Sequence, residues 1–121
     1  MSWLSSIWRN AQESVGKTKR VAKRAVKKPG PYRFLRVDDF PTHLERFKVY
    51  VAGTKKYPWA AAMLCPCGCG DIIELNLLHE ASPSWTVREH LGGSASIRPS
   101  VWRTRGCGSH FVIERGHLYW Y

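Results

Sequence analysis

The chain has 121 residues, 44% of them hydrophobic and including 6 Trp, 5 Tyr and 4 Phe, enough for one small packed domain and too few for two of ordinary size. The formal charge of +10 is uneven: residues 1–36 hold ten Lys and Arg against Glu13 alone, whereas residues 37–121 hold nine against eight acids. No run approaches the roughly 20 apolar residues of a membrane span, and Ser5, Ser6, Arg9 and Asn10 break the N-terminal apolar stretch that a secretory signal needs, so a cytoplasmic protein without a transmembrane segment is expected.

Residues 2–28 read as one basic amphipathic helix. At about 100° per residue, Trp3, Leu4, Ile7, Trp8, Ala11, Val15, Val21, Ala22, Ala25 and Val26 share one arc, and Arg9, Lys17, Arg20, Lys23, Arg24, Lys27 and Lys28 the opposite one. Gly16 weakens its middle. Pro29-Gly30-Pro31 stops it and starts a linker, which divides the chain into an arm, residues 1–31, and a domain, residues 32–121. In the domain, Phe34–Val37, Val49–Val51, Ala60–Leu64, Ile72–Leu77, Trp85–Val87, Ser96–Ile97, His110–Ile113 and Leu118–Trp120 are strand-like. A short helical turn is expected from Pro41 through Leu44 and Phe47, and Arg115-Gly116 makes a hairpin turn. The pattern predicts a mainly β (β-rich α+β) fold: a small antiparallel sheet domain preceded by the helical arm, not a βαβ unit.

Three of the four cysteines fall within five residues, in Cys65-Pro66-Cys67-Gly68-Cys69-Gly70, and the fourth stands in Cys107-Gly108-Ser109-His110. In a reducing compartment such clustering points to metal or thiol chemistry rather than disulfides. Pro66 stiffens the loop and Gly68 and Gly70 permit positive φ, while the two-residue gap lets Cys107 and His110 reach one ion. One zinc ion with a tetrahedral set is therefore expected, a staple that helps a small domain. Cys65, Cys67, Cys69, Cys107 and His110 give five candidates for four places, with Cys107 and His110 paired and the spare loop cysteine undetermined. A redox role for the Cys-x-Cys thiols is the competing reading. Asp71, Glu74, His79 and His90 are the acids and bases available to a catalytic zinc, but none has a recognisable catalytic spacing, so a structural ion is expected. His43 and His117 read as surface residues.

These motifs resemble a known family across roughly residues 33–121. Cys-Pro-Cys-Gly-Cys-Gly is followed by Asp71-Ile72-Ile73-Glu74-Leu75-Asn76-Leu77, Trp85, a Gly-Gly turn, a Ser-x-Arg-Pro-Ser-Val segment from Ser96 to Val101, Cys107-x-Ser-His-Phe111, Gly116 and Trp120. The resemblance is to a bacterial zinc-binding domain of unknown function encoded beside ubiquitin-like proteins, their activating enzymes, conjugating-enzyme relatives and JAB peptidases. It implies a metal-binding accessory or ligase-like component of a ubiquitin-like conjugation system. Five candidate ligands fall short of the eight that a two-zinc RING ligase uses.

The expected function is thus a zinc-stabilised adaptor with a protein partner in ubiquitin-like transfer, a binding module rather than an enzyme unless its role is ligase-like. The alternatives are a nucleic-acid-binding zinc protein acting through the arm and a zinc-dependent hydrolase. Residues 2–28 also suit an anionic membrane surface, but their wide, aromatic-rich stripe favours docking into a groove on a partner.

Overall fold

The computed structural model describes residues 28–121; the amphipathic helix expected over residues 2–28 lies, but for Lys28, outside them. Eight strands follow one another: β1 (Arg33–Val37), β2 (Lys48–Gly53), β3 (Pro58–Leu64), β4 (Ile72–Asn76), β5 (Thr86–Glu89), β6 (Ala95–Trp102), β7 (His110–Glu114) and β8 (His117–Trp120). They form two four-stranded sheets, β1-β2-β3-β4 and β5-β6-β7-β8, where a single antiparallel sheet was expected. The described residues contain no helix, so the turn expected at Pro41 does not form.

One pairing is parallel: β1 lies beside β2 with Phe34 opposite Val49 and Val37 opposite Ala52. Parallel neighbours require a crossover, and residues 38–47 supply it, anchored where the Glu45 N–H donates to the Tyr50 hydroxyl at 2.9 Å. All other pairings are antiparallel.

Alternation explains the core. Val49 and Val51 of β2, Ala61 and Met63 of β3, and Ile73 and Leu75 of β4 point to one side. They meet Ala95, Ile97 and Val101 of β6 and Phe111 and Ile113 of β7 in one buried cluster, so the two sheets share a single core. Each fully buried Val or Ile contributes about 1.5–3 kcal/mol.

The segment around Gly30 is docked rather than free. Its N–H donates to Arg115 O at 2.9 Å, and the Tyr32 N–H donates to Gly116 O at 3.1 Å. A Cβ on Gly30 would stand 2.2 Å from Gly116 O, so only glycine lets this strap close on the β7–β8 turn.

Candidate functional site

Two connections converge at one end of the sandwich: the β3–β4 loop and the segment between β6 and β7. The first is tightened by Cys65 N–H donating to Asp71 O at 2.8 Å and by Gly68 N–H donating to Cys65 O at 3.2 Å. Gly68 and Gly70 take φ of 89° and 86°, the left-handed turns that curl the loop. The sulfurs of Cys65, Cys67, Cys69 and Cys107 all lie within 4.8 Å of one another. Cys65 Sγ is 3.4 Å from Cys67 Sγ and 3.5 Å from Cys107 Sγ. Tetrahedral zinc at 2.3 Å from each sulfur spaces them by about 3.8 Å, so the four thiols fit one metal ion.

Their surroundings suit charge. Arg103 Nη1 donates to Cys69 Sγ at 3.6 Å and to Cys107 Sγ at 3.5 Å, and its Nη2 pairs with Asp71 Oδ2 at 3.3 Å. The Ser109 hydroxyl lies 3.0 Å from Cys107 Sγ. Hydrogen bonds from Ser109, through its side chain and then its backbone, pull the Cys107 thiol down to about 6. Cys69 is pushed up to about 11: the Asp71 backbone pulls it down, but its sulfur neighbours and desolvation outweigh that. Four close thiols release their protons unequally without a cation; a bound metal would hold all four as thiolates.

His110, expected to join Cys107 as a ligand, is not brought to this group. Alternation is the reason: Ser109 turns back onto the sulfurs, Phe111 enters the core, and His110 between them faces outward. There its Nε2 stands 3.0 Å from the Ser100 hydroxyl. The ring is stacked between Trp102, at 5.0 Å and 11°, and Tyr121, at 4.1 Å and 21°. Trp102 lies directly across the β6–β7 ladder from His110, and the Tyr121 N–H donates to His110 O at 2.9 Å.

Ser100 owes its place to an irregularity. Ile97 faces Ile113 and Val101 faces Phe111, so Arg98, Pro99 and Ser100 together oppose Val112. Pro99 has no N–H for the ladder, and proline in a sheet sits at such bulges. Arg98 Nη2 pairs with the buried Glu114 Oε1 at 3.2 Å on one side of the bulge. On the other, Trp85 Nε1 donates to Ser100 O at 3.2 Å. Asn76 secures the loop before Trp85, its Nδ2 donating to Leu78 O at 2.9 Å and Pro83 O at 3.1 Å.

Two other histidines touch serines. His90 Nε2 lies 2.6 Å from Ser96 Oγ, but Ser96 is buried and its hydroxyl accepts the Arg115 N–H at 2.8 Å, a structural tie. His79 meets Ser84 at 3.0 Å within the 78–85 loop. Among the described residues, Ser100 alone combines partial exposure with a clamped partner ring. Glu74, on β4 across from Ala62, is exposed, and neither it nor Asp71 joins the four-sulfur group. Sequence reasoning missed Ser100, whose only local signal was its place in the Ser-x-Arg-Pro-Ser-Val segment.

A family model described as bacterial ubiquitination-like system serine protease (BubE) matches residues 36–121, most of the chain. No curated protein and no solved structure matches it.

Proposed function

The chain belongs to the BubE family of bacterial ubiquitination-like systems, and on that premise we propose that it is a serine protease of such a system, with Ser100 as nucleophile and His110 as general base. The observation that carries the proposal is the 3.0 Å contact between Ser100 Oγ and His110 Nε2, the reach that proton abstraction requires. The family description supports the same reading, against the adaptor expected from the sequence.

As Ser100 Oγ bonds to the carbonyl carbon of a scissile amide, its proton passes to His110 Nε2. The C–N bond then breaks as that proton moves to the leaving nitrogen. Water, deprotonated by the same nitrogen of His110, releases the acyl group and restores Ser100. For Nε2 to accept, the neutral ring carries its own proton on Nδ1. In a triad a carboxylate keeps such a ring in its plane; here Trp102 and Tyr121 flank both faces.

Cys65, Cys67, Cys69 and Cys107 would hold one zinc ion, which supplies the charge that keeps the thiolates together. Four protein sulfurs leave no open position for a zinc-bound water, so the ion is structural and the zinc-hydrolase alternative is disfavoured. Cys107 belongs to the connection that runs from Ser100 to His110, and the metal would therefore hold the pair in register.

The test is labelling with a fluorophosphonate probe, followed by peptide mass mapping. Ser100 is expected to carry the adduct, and S100A and H110A to lose it while keeping a native circular dichroism spectrum. Labelling of another residue would overturn the assignment. So would cleavage by S100A, at the wild-type rate, of a ubiquitin-like protein fused at its C terminus to a reporter, and so would absence of that cleavage in the wild type, the outcome expected of a non-enzymatic adaptor.

A further inference from the structure

Away from the serine–histidine pair, the two sheets meet edge to edge and then splay. Phe34 N–H donates to Gly93 O at 2.8 Å, and Arg33 bridges to Ser94. Beyond that junction β1 and β5, each the outer strand of its sheet, flank an open groove of about 590 Å³.

Both strand edges offer their backbones to it. On β1, Arg33 N–H bonds to Phe47 O on the β2 side and Phe34 N–H to Gly93 O on the other. Alternation directs the Arg36 N–H and C=O to the groove side as well. On β5, His90 N–H bonds to Ser94 O, so with Arg88 opposite Ser96 and Thr86 opposite Arg98, Thr86 and Arg88 spend their main-chain groups on β6. Val87 and Glu89 then turn theirs outward. An edge with this pattern is a template for an added strand. Phe34, Val51 and Val87 supply apolar lining, while Arg36, Lys55 and Arg88 set three cations against one carboxylate, Glu89.

We infer that this groove binds an extended, acidic peptide segment of a partner protein, paired as a strand along β5 and β1. Charge complementarity selects the occupant: the basic arm of this same chain, residues 1–31, holds eight Lys and Arg against Glu13 and is repelled by the rim. The groove also leads toward the site. Thr86 pairs with Arg98, two residues before Ser100, so a strand laid along β5 runs toward the nucleophile. That last step rests on the serine-protease reading, and the segment is then part of the substrate; the binding itself does not depend on it.

The experiment uses the full chain carrying S100A, so that binding is measured without cleavage. The probe is a fluorescein-labelled decapeptide of alternating valine and glutamate, read by fluorescence anisotropy. Saturable binding is expected, weakened about tenfold by K55E/R88E, weakened by salt, and lost when alternate valines are replaced by proline, which cannot complete a ladder. Lys55 and Arg88 are exposed, and circular dichroism checks that the double variant stays folded. The inference is overturned if the decapeptide does not bind, if a valine–lysine decapeptide binds equally, or if folded K55E/R88E binds as well as its parent. It is also overturned if sedimentation shows a dimer that K55E/R88E dissolves, because the groove then holds a second copy. Fluorophosphonate labelling of Ser100 is unaffected by any of these outcomes, so failure of the groove is distinguishable from failure of the nucleophile.

Discussion

Removing the aromatic faces that hold His110 should slow catalysis without unfolding the protein. Trp102 is 63% exposed, so Trp102→Ala costs at most about 1 kcal/mol of stability. Tyr121→Ala keeps the main-chain bond to His110 O and removes the ring stacked on the imidazole. A stacked aromatic pair is worth about 0.5–1.5 kcal/mol. If that energy serves to orient the imidazole, and each 1.36 kcal/mol of barrier is tenfold in rate, one substitution should lower kcat roughly 2- to 12-fold. Both together should lower it roughly 5- to 160-fold. The assay is steady-state hydrolysis of a p-nitrophenyl ester, with the second-order rate of fluorophosphonate labelling as a measure of Ser100 reactivity. KM should hold, and Trp102→Phe and Tyr121→Phe should restore most of the rate. Wild-type kcat in the double alanine variant would refute the reasoning. A loss that appears in KM alone, or that the phenylalanine variants do not rescue, would refute it equally.

Ser100→Ala and His110→Ala should each lower kcat/KM by about 10²–10⁴, and the double variant should be little worse than either, since the two act as a unit; additive losses would argue for separate roles. Cys107→Ser, or chelation of the wild type, should release one equivalent of zinc by mass spectrometry, lower Tm and abolish Ser100 labelling together. Phe111→Ala should cost about 3–5 kcal/mol in urea unfolding, because the ring lies fully buried between the sheets. Burial, aided by the nearby Arg115, lowers the pKa of His90 in the fold. The unfolded chain then binds the extra proton, so this residue's contribution is present above about pH 6.5 and is lost as pH falls. Urea midpoints at pH 7.5 and pH 5 should differ less in His90→Gln than in wild type.

Much of the architecture was legible. Each of the eight strands overlaps a segment read as strand-like, because period-two burial and apolar runs are local information, but only Ser96–Ile97 marks the eight-residue β6, whose bulge at Pro99 interrupts the pattern. What alternation does not encode is which sheet a strand joins. The parallel pairing of β1 with β2 and the division into two sheets follow from packing of the shared core around Phe111, Met63 and Ile97. The cysteine cluster was legible from spacing, and the structure brings all four thiols together. The expectation that His110 is a ligand rests on a two-residue gap from Cys107 that suits metal binding in a loop. It fails once residue 110 begins a strand, for then Ser109 takes the inward direction. Ser100 carries no signature of its own: its partner is chosen by the register of β6 against β7 and by the bulge at Pro99.

The proposed catalytic pair is only ten residues apart in sequence, on the two arms of one hairpin whose connection carries Cys107. A contact of such short range closes a small loop and needs no distant chain segment to arrive. On the serine-protease proposal, activity therefore has a stability of its own. Local opening of the hairpin end would separate the pair while Phe111 and Ile113, buried in the shared core, keep the sandwich assembled. Such an opening removes nucleophile, base and both aromatic walls in one event. A serine protease built this way would lose activity well below the threshold of global unfolding.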